Sequence, residues 1–145
     1  VIAGQRNARV CGGQGLDESC ITHVGHVCDA ELYALYSRAF CLLFPSFYEG
    51  FGLPPVEAMA LGCPAIVSHS SVLPEICADA VLYCDPNDPR TLVNAIQRLR
   101  QDRGLRESLV TRGKERTGLF SWSAGAESML NVLSHAVASQ NRSTS

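Results

Sequence analysis

Residues 44–64 read FPSFYEGFGLPPVEAMALGCP, a segment that leaves an apolar run, crosses a loop and enters a helix. Gly50 and Gly52 let the loop backbone approach a ligand closely, because neither residue carries a side chain. Two prolines follow in the first turn of the predicted helix 53–61, where a missing N–H is tolerated, and Gly62 is a typical stop. A strand, a loop and a helix in this order form the repeating unit of α/β proteins.

The same alternation of short apolar runs and helical spacing continues on both sides of this segment. Five apolar runs predict buried strands, at residues 1–3, 21–24, 39–44, 65–68 and 81–84. Helical spacing predicts helices at 89–100 and 105–116, and two more that begin with Asp29 and Ser121 as their N-caps.

The predicted fold is therefore α/β, a Rossmann-like parallel sheet with helices on both faces. Residues 1–120 are expected to form the ligand-binding domain, and residues 121–145 a C-terminal helix with a fraying polar tail. The chain opens directly on an apolar run that looks like a strand entered part-way, so we expect a fragment that lacks its first strand and helix. In open parallel sheets ligands bind beyond the carboxyl ends of the strands, which directs attention to the strand-to-helix loops.

The composition is that of one soluble globular domain, with 46% hydrophobic and 18% charged residues in 145. The net charge of -2 gives no general attraction to nucleic acid, and the apolar runs are far too short to cross a bilayer. The seven cysteines include no C-x-x-C pair, so no zinc site is expected. Reduced, structural thiols in a cytoplasmic compartment are the expectation.

Basic residues concentrate in one part of the chain. Eight of the twelve fall within residues 90–116, together with only three acids. They form either a solvated helix face or a patch that contacts anionic lipid at the inner face of the membrane. The sequence leaves both interpretations open.

The loop before helix 53–61 has the features of an anion site. The backbone N–H groups of Phe51, Gly52 and Leu53 are predicted to point out of the helix start, where the helix dipole favours negative charge. The prolines fix that first turn, so these donors are aligned before a ligand arrives. This set of aligned backbone donors favours a diphosphate as the bound anion.

Two acids, Glu49 and Glu57, flank these donors. A carboxylate is repelled by phosphate but accepts two hydroxyl protons, which suits the vicinal diols of a sugar or a ribose. The order of groups matches a nucleoside diphosphate sugar. Two plainer interpretations stand beside this one: Ser46 and Glu49 have the spacing of a capping box, and Glu57 is also typical of an acid near a positive helix end.

The segment from Glu49 to Glu57 strongly resembles the Glu-x7-Glu motif of the family-four retaining glycosyltransferases, whose GT-B fold consists of two facing Rossmann-like domains. Residues 24–36, 71–76, 79–89 and 120–122 are similar to other segments of that family, so the resemblance covers nearly the whole chain. It identifies the chain as the C-terminal, donor-binding domain, similar to that of mannosyltransferases.

The resemblance also implies roles for single residues. Glu49 would bind hydroxyls of the transferred sugar near the reacting carbon, as the catalytic residue. The backbone of Gly50, Phe51, Gly52 and Leu53 would hold that sugar and the diphosphate. Glu57 would bind the ribose diol, and the backbone at Val27 would contact the base. Such enzymes need no metal, because side chains and helix dipoles neutralise the leaving diphosphate.

The resemblance implies a hexosyltransferase that retains the anomeric configuration and uses GDP-mannose in preference to UDP-sugars. Its acceptor would be a glycan or lipid-linked, as in polysaccharide biosynthesis. The partners would be the nucleotide sugar and an N-terminal acceptor-binding domain that this sequence does not include. The fragment alone is expected to be inactive.

The residues also bear on two other functions. The first is a non-catalytic module for nucleotide-sugar binding or assembly, which the two intact acids disfavour. The second is an oxidoreductase, which needs Gly-x-Gly-x-x-Gly after the first strand and an acid about 20 residues on. The glycines at 12, 13 and 15 do not have that spacing.

Overall fold

The structure is a computed structural model and describes residues 1–4 and 18–142. Its strands are β1 (Ile2–Ala3), β2 (His23–Gly25), β3 (Leu42–Phe44), β4 (Ala65–Ser68) and β5 (Leu82–Cys84). Its helices are α1 (Asp29–Arg38), α2 (Leu53–Ala60), α3 (Leu73–Cys77), α4 (Pro89–Gln101), α5 (Arg103–Thr117) and α6 (Trp122–Arg142). The glycines at 12, 13 and 15 fall outside the described residues.

All strand pairs in the described residues are parallel, as the alternation of strands and helices predicts. They form two sheets instead of one continuous sheet: β1 pairs with β2, and β3, β4 and β5 follow in that order. β4 is the central strand of the second sheet, so both of its edges are hydrogen-bonded. The loops after β3, β4 and β5 therefore emerge at one edge, where ligands bind in such folds.

Helices cover both faces of the three-stranded sheet, which confirms the predicted α/β class. Ala65 and Val67 of β4 pack with Met59 of α2 and with the buried residues of α3. Ile66, between them in sequence, points to the other face and packs with Leu99 of α4 and with α5. The alternation follows from the two-residue period of a strand. Because both faces are covered, every residue of β4 is buried.

Helix starts agree with the sequence at α2, α4 and α6. α5 begins at Arg103, two residues before the predicted start, α3 was not predicted, and the start of α1 differs as well. Ser121 accepts a hydrogen bond from Ala124 N, at 3.1 Å, as a predicted N-cap should. The predicted cap at Asp29 is wrong: Asp29 is the first helical residue and Cys28 is the N-cap. The carboxylate of Glu31 reaches back to Cys28 N at 2.8 Å, so the helix begins one residue earlier. This contact lowers the pKa of Glu31.

The last helix is long and exposed along its described side chains. Its predicted apolar stripe includes Leu130 and Leu133, which are 63% and 54% exposed. The helix continues to Arg142, beyond the point at which the polar tail was expected to fray. Within the described residues no helix is both long and apolar enough to span a membrane.

The basic cluster is partly used to fasten α5 to the rest of the domain. Arg116 donates to Ile76 O at 2.8 Å, and Arg112 pairs with Asp79 at 3.0 Å. Arg106 donates to Phe40 O at 2.5 Å and its guanidinium lies over the Phe40 ring. These three are therefore structural contacts, and lipid contact by the remaining cations stays a prediction.

Candidate functional site

The loop after β3 enters α2 through a left-handed glycine. Gly52 is the N-cap, with φ +85°, and Pro54 and Pro55 occupy the first turn of the helix. Within residues 1–4 and 18–142, the backbone N–H groups of Phe51, Gly52 and Leu53 donate to no protein acceptor. Unpaired N–H groups at a helix start are what an anion needs.

Packing holds this loop in place. A Cβ at position 52 would lie 2.6 Å from Leu73 Cδ2, so the backbone there rests directly on α3. The Phe51 ring meets the Phe120 ring edge-on, with 5.7 Å between ring centroids. The guanidinium of Arg116 lies over the Phe120 ring, 5.3 Å from its centroid. The amide donors are therefore fixed before any ligand binds.

Glu49 is half-buried in the same loop. Its Oε1 accepts a hydrogen bond from Ser46 Oγ at 2.7 Å, and its backbone oxygen accepts one from Ser71 Oγ at 2.8 Å. The capping-box interpretation is wrong, because α2 begins at Leu53 and its N-cap is Gly52, not Ser46. In the described part of the chain Glu49 Oε2 has no hydrogen-bond partner, which leaves it available to a ligand hydroxyl.

Glu57 lies on the exposed surface of α2, past its first turn. Its Oε2 accepts a hydrogen bond from Tyr36 Oη at 3.3 Å, which ties α2 to α1. Burial, with the charge of Glu57, raises the pKa of Tyr36 to about 12, so the phenol remains a donor at neutral pH. Because Glu57 is not in the first turn, the helix dipole gives little reason for an acid there.

Val27 is half-buried in the loop between β2 and α1. This loop and the Glu49 loop both follow the carboxyl ends of parallel strands. The Tyr36 hydrogen bond brings α1 to Glu57, while no hydrogen bond joins Val27 to either acid in the described residues. Contact of Val27 with a base stays a prediction.

A cleft of about 520 Å³ opens beside the Glu49 loop, at the carboxyl ends of β4 and β5. Phe47, His69 and Asp85 are among its lining residues, and the His69 and Tyr83 rings meet edge-on at 5.0 Å. Neither predicted acid lines this cleft. The concave surface therefore adjoins the loop and does not run between the two acids.

Sequence reasoning paired Ser46 with Glu49 only as a capping box. It missed Tyr36 as the partner of Glu57, since nothing in the spacing of Tyr36 indicates a contact 21 residues away. It also missed Ser68. Ser68 offered a signal, because it is a polar residue at the end of a run that is otherwise apolar. It is fully buried, and its hydroxyl donates to Ser46 O.

Comparisons with known proteins give a family match and similar structures. The family model described as glycosyl transferases group 1 matches residues 15–116. The O-antigen chain mannosyltransferase B of Escherichia coli is 42% identical over 109 residues, which are 75% of this chain and 29% of that protein. The chain thus spans less than a third of that relative.

Two solved structures are similar in fold and sequence. The sucrose-phosphate synthase of Thermosynechococcus elongatus has a TM-score of 0.72 and 37% identity, covering 81% of this chain and 30% of that one. The C-terminal domain of a glycosyl transferase group 1 family protein from Francisella tularensis has a TM-score of 0.59 and 27% identity. That match covers 67% of this chain and 51% of the other.

Proposed function

This chain belongs to the group 1 glycosyl transferases, and on that premise we propose that it binds the nucleotide-sugar donor of a hexosyltransferase. The transfer retains the anomeric configuration and uses GDP-mannose in preference to UDP-sugars. The acceptor is a glycan or a lipid-linked saccharide, bound by a second domain. The name of the E. coli relative, an O-antigen chain mannosyltransferase, supports mannose and a polysaccharide product.

The observation that carries the proposal is the helix mouth between two acids. The unpaired N–H groups of Phe51, Gly52 and Leu53 suit a diphosphate. Glu49 suits hydroxyls of the transferred sugar, and Glu57, held by Tyr36, suits the ribose diol. The diphosphate leaves without a metal, because the amides and the helix dipole stabilise its charge.

The cysteines and the exposed cations bear on where the protein is located in the cell. The described cysteines are all free thiols, which supports a reducing, cytoplasmic compartment. Arg98, Arg100 and Lys114 are exposed on α4 and α5 and are available to an anionic membrane surface.

Calorimetric titration of the chain with GDP and with GDP-mannose tests the proposal. Wild type should bind both, and GDP-mannose more tightly. Glu57→Gln should weaken both ligands about 10-fold or more, because hydrogen bonds to a charged group contribute about 1.5–3 kcal/mol. Glu49→Gln should leave GDP binding intact and remove the additional affinity for GDP-mannose.

Glu115→Gln is the matched control, since this acid is exposed on α5 and makes no side-chain hydrogen bond within the described residues. It should bind both ligands as wild type does. The assigned roles would be contradicted if both Glu49→Gln and Glu57→Gln kept the GDP binding of wild type. They would also be contradicted if the folded wild type bound GDP and GDP-mannose equally. UDP and UDP-glucose, titrated in parallel, decide the nucleotide.

A further inference from the structure

Four serines lie in or beside the Glu49 loop. Ser46 lies in the loop itself, Ser68 ends β4, and Ser70 and Ser71 follow β4. The hydroxyls of Ser68 and Ser70 both donate to Ser46 O, the latter at 3.0 Å, and their oxygens lie 2.9 Å apart. We call Ser46, Ser68, Ser70 and Ser71 the serine clamp.

The clamp reaches Glu49 at two atoms. Ser46 Oγ is 2.7 Å from Glu49 Oε1 and 3.2 Å from Tyr48 O. Its shorter contact is to the carboxylate, which is the stronger acceptor. Ser71 Oγ donates to Glu49 O at 2.8 Å. The side chain of Glu49 is thus held from within the loop, by Ser46, and its backbone from outside the loop, by Ser71.

Two features indicate that forming the serine clamp costs free energy. Ser68 is the one buried polar side chain in the described part of the chain, and its hydroxyl requires a partner there. Ser71 has φ +53°, one of two positive values among the described non-glycine residues. Such backbone strain concentrates at sites where function requires a fixed geometry.

We propose that Ser46 and Ser71 are positioning residues that hold the Glu49 carboxylate ready for the donor sugar. This inference rests on the proposed function. With Oε1 held by Ser46, the free Oε2 is directed to a sugar hydroxyl without first losing rotamer freedom, which is costly for a glutamate. The clamp anchors to β4, the central strand of the second sheet, and so transmits the rigidity of the core to the carboxylate.

The test separates sugar binding from nucleotide binding. The ratio of the Kd for GDP to the Kd for GDP-mannose is measured by calorimetry for each variant, with thermal stability recorded alongside. Ser46→Ala should lower this ratio by about tenfold or more, the effect of one hydrogen bond to a charged group. Binding of GDP itself should not change. Ser46→Thr, which keeps a hydroxyl, should restore the ratio.

Ser71→Gly provides a second, independent variant. It removes the hydroxyl and also relieves the positive φ, so it should lower the ratio without lowering stability. If Ser71 had only a structural role, the folded Ser71→Gly variant would keep the wild-type ratio of the two Kd values. If Ser46→Ala fails to fold, this variant alone decides the matter.

Ser37→Ala is the matched control, because Ser37 Oγ donates to Tyr33 O at 2.8 Å on the exposed side of α1. It should keep the wild-type ratio. A wild-type ratio in Ser46→Ala or Ser71→Gly, or an equal loss of GDP and GDP-mannose binding, overturns the positioning role while leaving the proposed function standing. Failure of folded wild type to bind either ligand overturns both.

Discussion

At the scale of the residue, Gly52 decides how the loop meets the helix. Its φ is +85°, and a methyl group there would meet Leu73 Cδ2 at 2.6 Å. Gly52→Ala should therefore lower the free energy of unfolding by about 1–3 kcal/mol, from backbone strain and steric overlap together. Urea unfolding measures this loss.

Gly50→Ala is the control for that substitution. A Cβ at position 50 would have no atom within 4 Å, and the residue has no positive φ. Its unfolding free energy should stay within about 0.5 kcal/mol of wild type, as for most surface changes. Equal losses in the two variants would show that the left-handed geometry at Gly52 is unimportant.

The residues of the site could be predicted only in part. The spacing of Glu49 and Glu57 around a glycine loop is visible in the sequence, and so is the proline-fixed helix start. The spacing of Ser46 and Glu49 is visible too, but it suggests a helix cap and not the contact of hydroxyl and carboxylate within the loop. The contact of Tyr36 with Glu57 is not visible, because it depends on how α1 lies against α2, which no local pattern specifies.

At the scale of the element, sequence pattern located the strands and the starts of α2, α4 and α6, but it did not predict α3. Apolar runs located all five strands to within a few residues. Their predicted burial holds for β4 and nearly so for β5, whereas β1 is exposed and β2 and β3 are only partly covered. The start of α2 at Leu53 and its stop at Gly62, with φ +71°, followed from proline and glycine chemistry. The predicted N-cap of α1 is one residue late, because Cys28 takes that position and its N–H donates to the carboxylate of Glu31, as in a capping box.

Pairing between strands could not be read from the sequence. Apolar periodicity identifies a strand but contains no information about its neighbour, so the division into a sheet of two and a sheet of three appears only in the structure. The same limit applies to α6. Its apolar spacing predicts a packed stripe, whereas Leu130 and Leu133 are exposed.

At the scale of the whole molecule, some of the cysteines and tyrosines lie in or against the buried core. Burial raises the pKa of Cys41 and Cys77 to about 11 and that of Tyr36 and Tyr83 to about 12. The expectation of structural thiols fits the buried Cys63, Cys77 and Cys84, whereas Cys20 and Cys28 are exposed; the reduced state stays a prediction. Family membership, predicted from the Glu49 to Glu57 segment, is confirmed by the family model.

These raised pKa values predict a loss of stability at alkaline pH. The unfolded chain releases these protons at lower pH than the folded chain, so the unfolded state binds fewer protons and stability falls as pH rises. The contribution is fully present below about pH 9, the unfolded value for a thiol, and is lost as pH rises toward about 12. Each pKa unit of difference corresponds to about 1.4 kcal/mol per group.

Urea unfolding at about pH 8 and about pH 10.5 measures this decline. Tyr83→Phe should reduce the loss of unfolding free energy at the high-pH end of this range. The reason is that the variant lacks the phenol that donates to Ala78 O at 2.5 Å. An unfolding free energy that stayed constant or rose over this range would contradict the assignment of these groups to the core.

Amide resonances of the ¹⁵N-labelled chain test the diphosphate site most directly, because each donor is observed separately. On addition of GDP, the amide protons of Phe51, Gly52 and Leu53 should shift further than any others, as they acquire their first hydrogen-bond acceptor. If GDP binds and these three resonances stay in place while others move, the diphosphate lies elsewhere and the helix mouth is not its site.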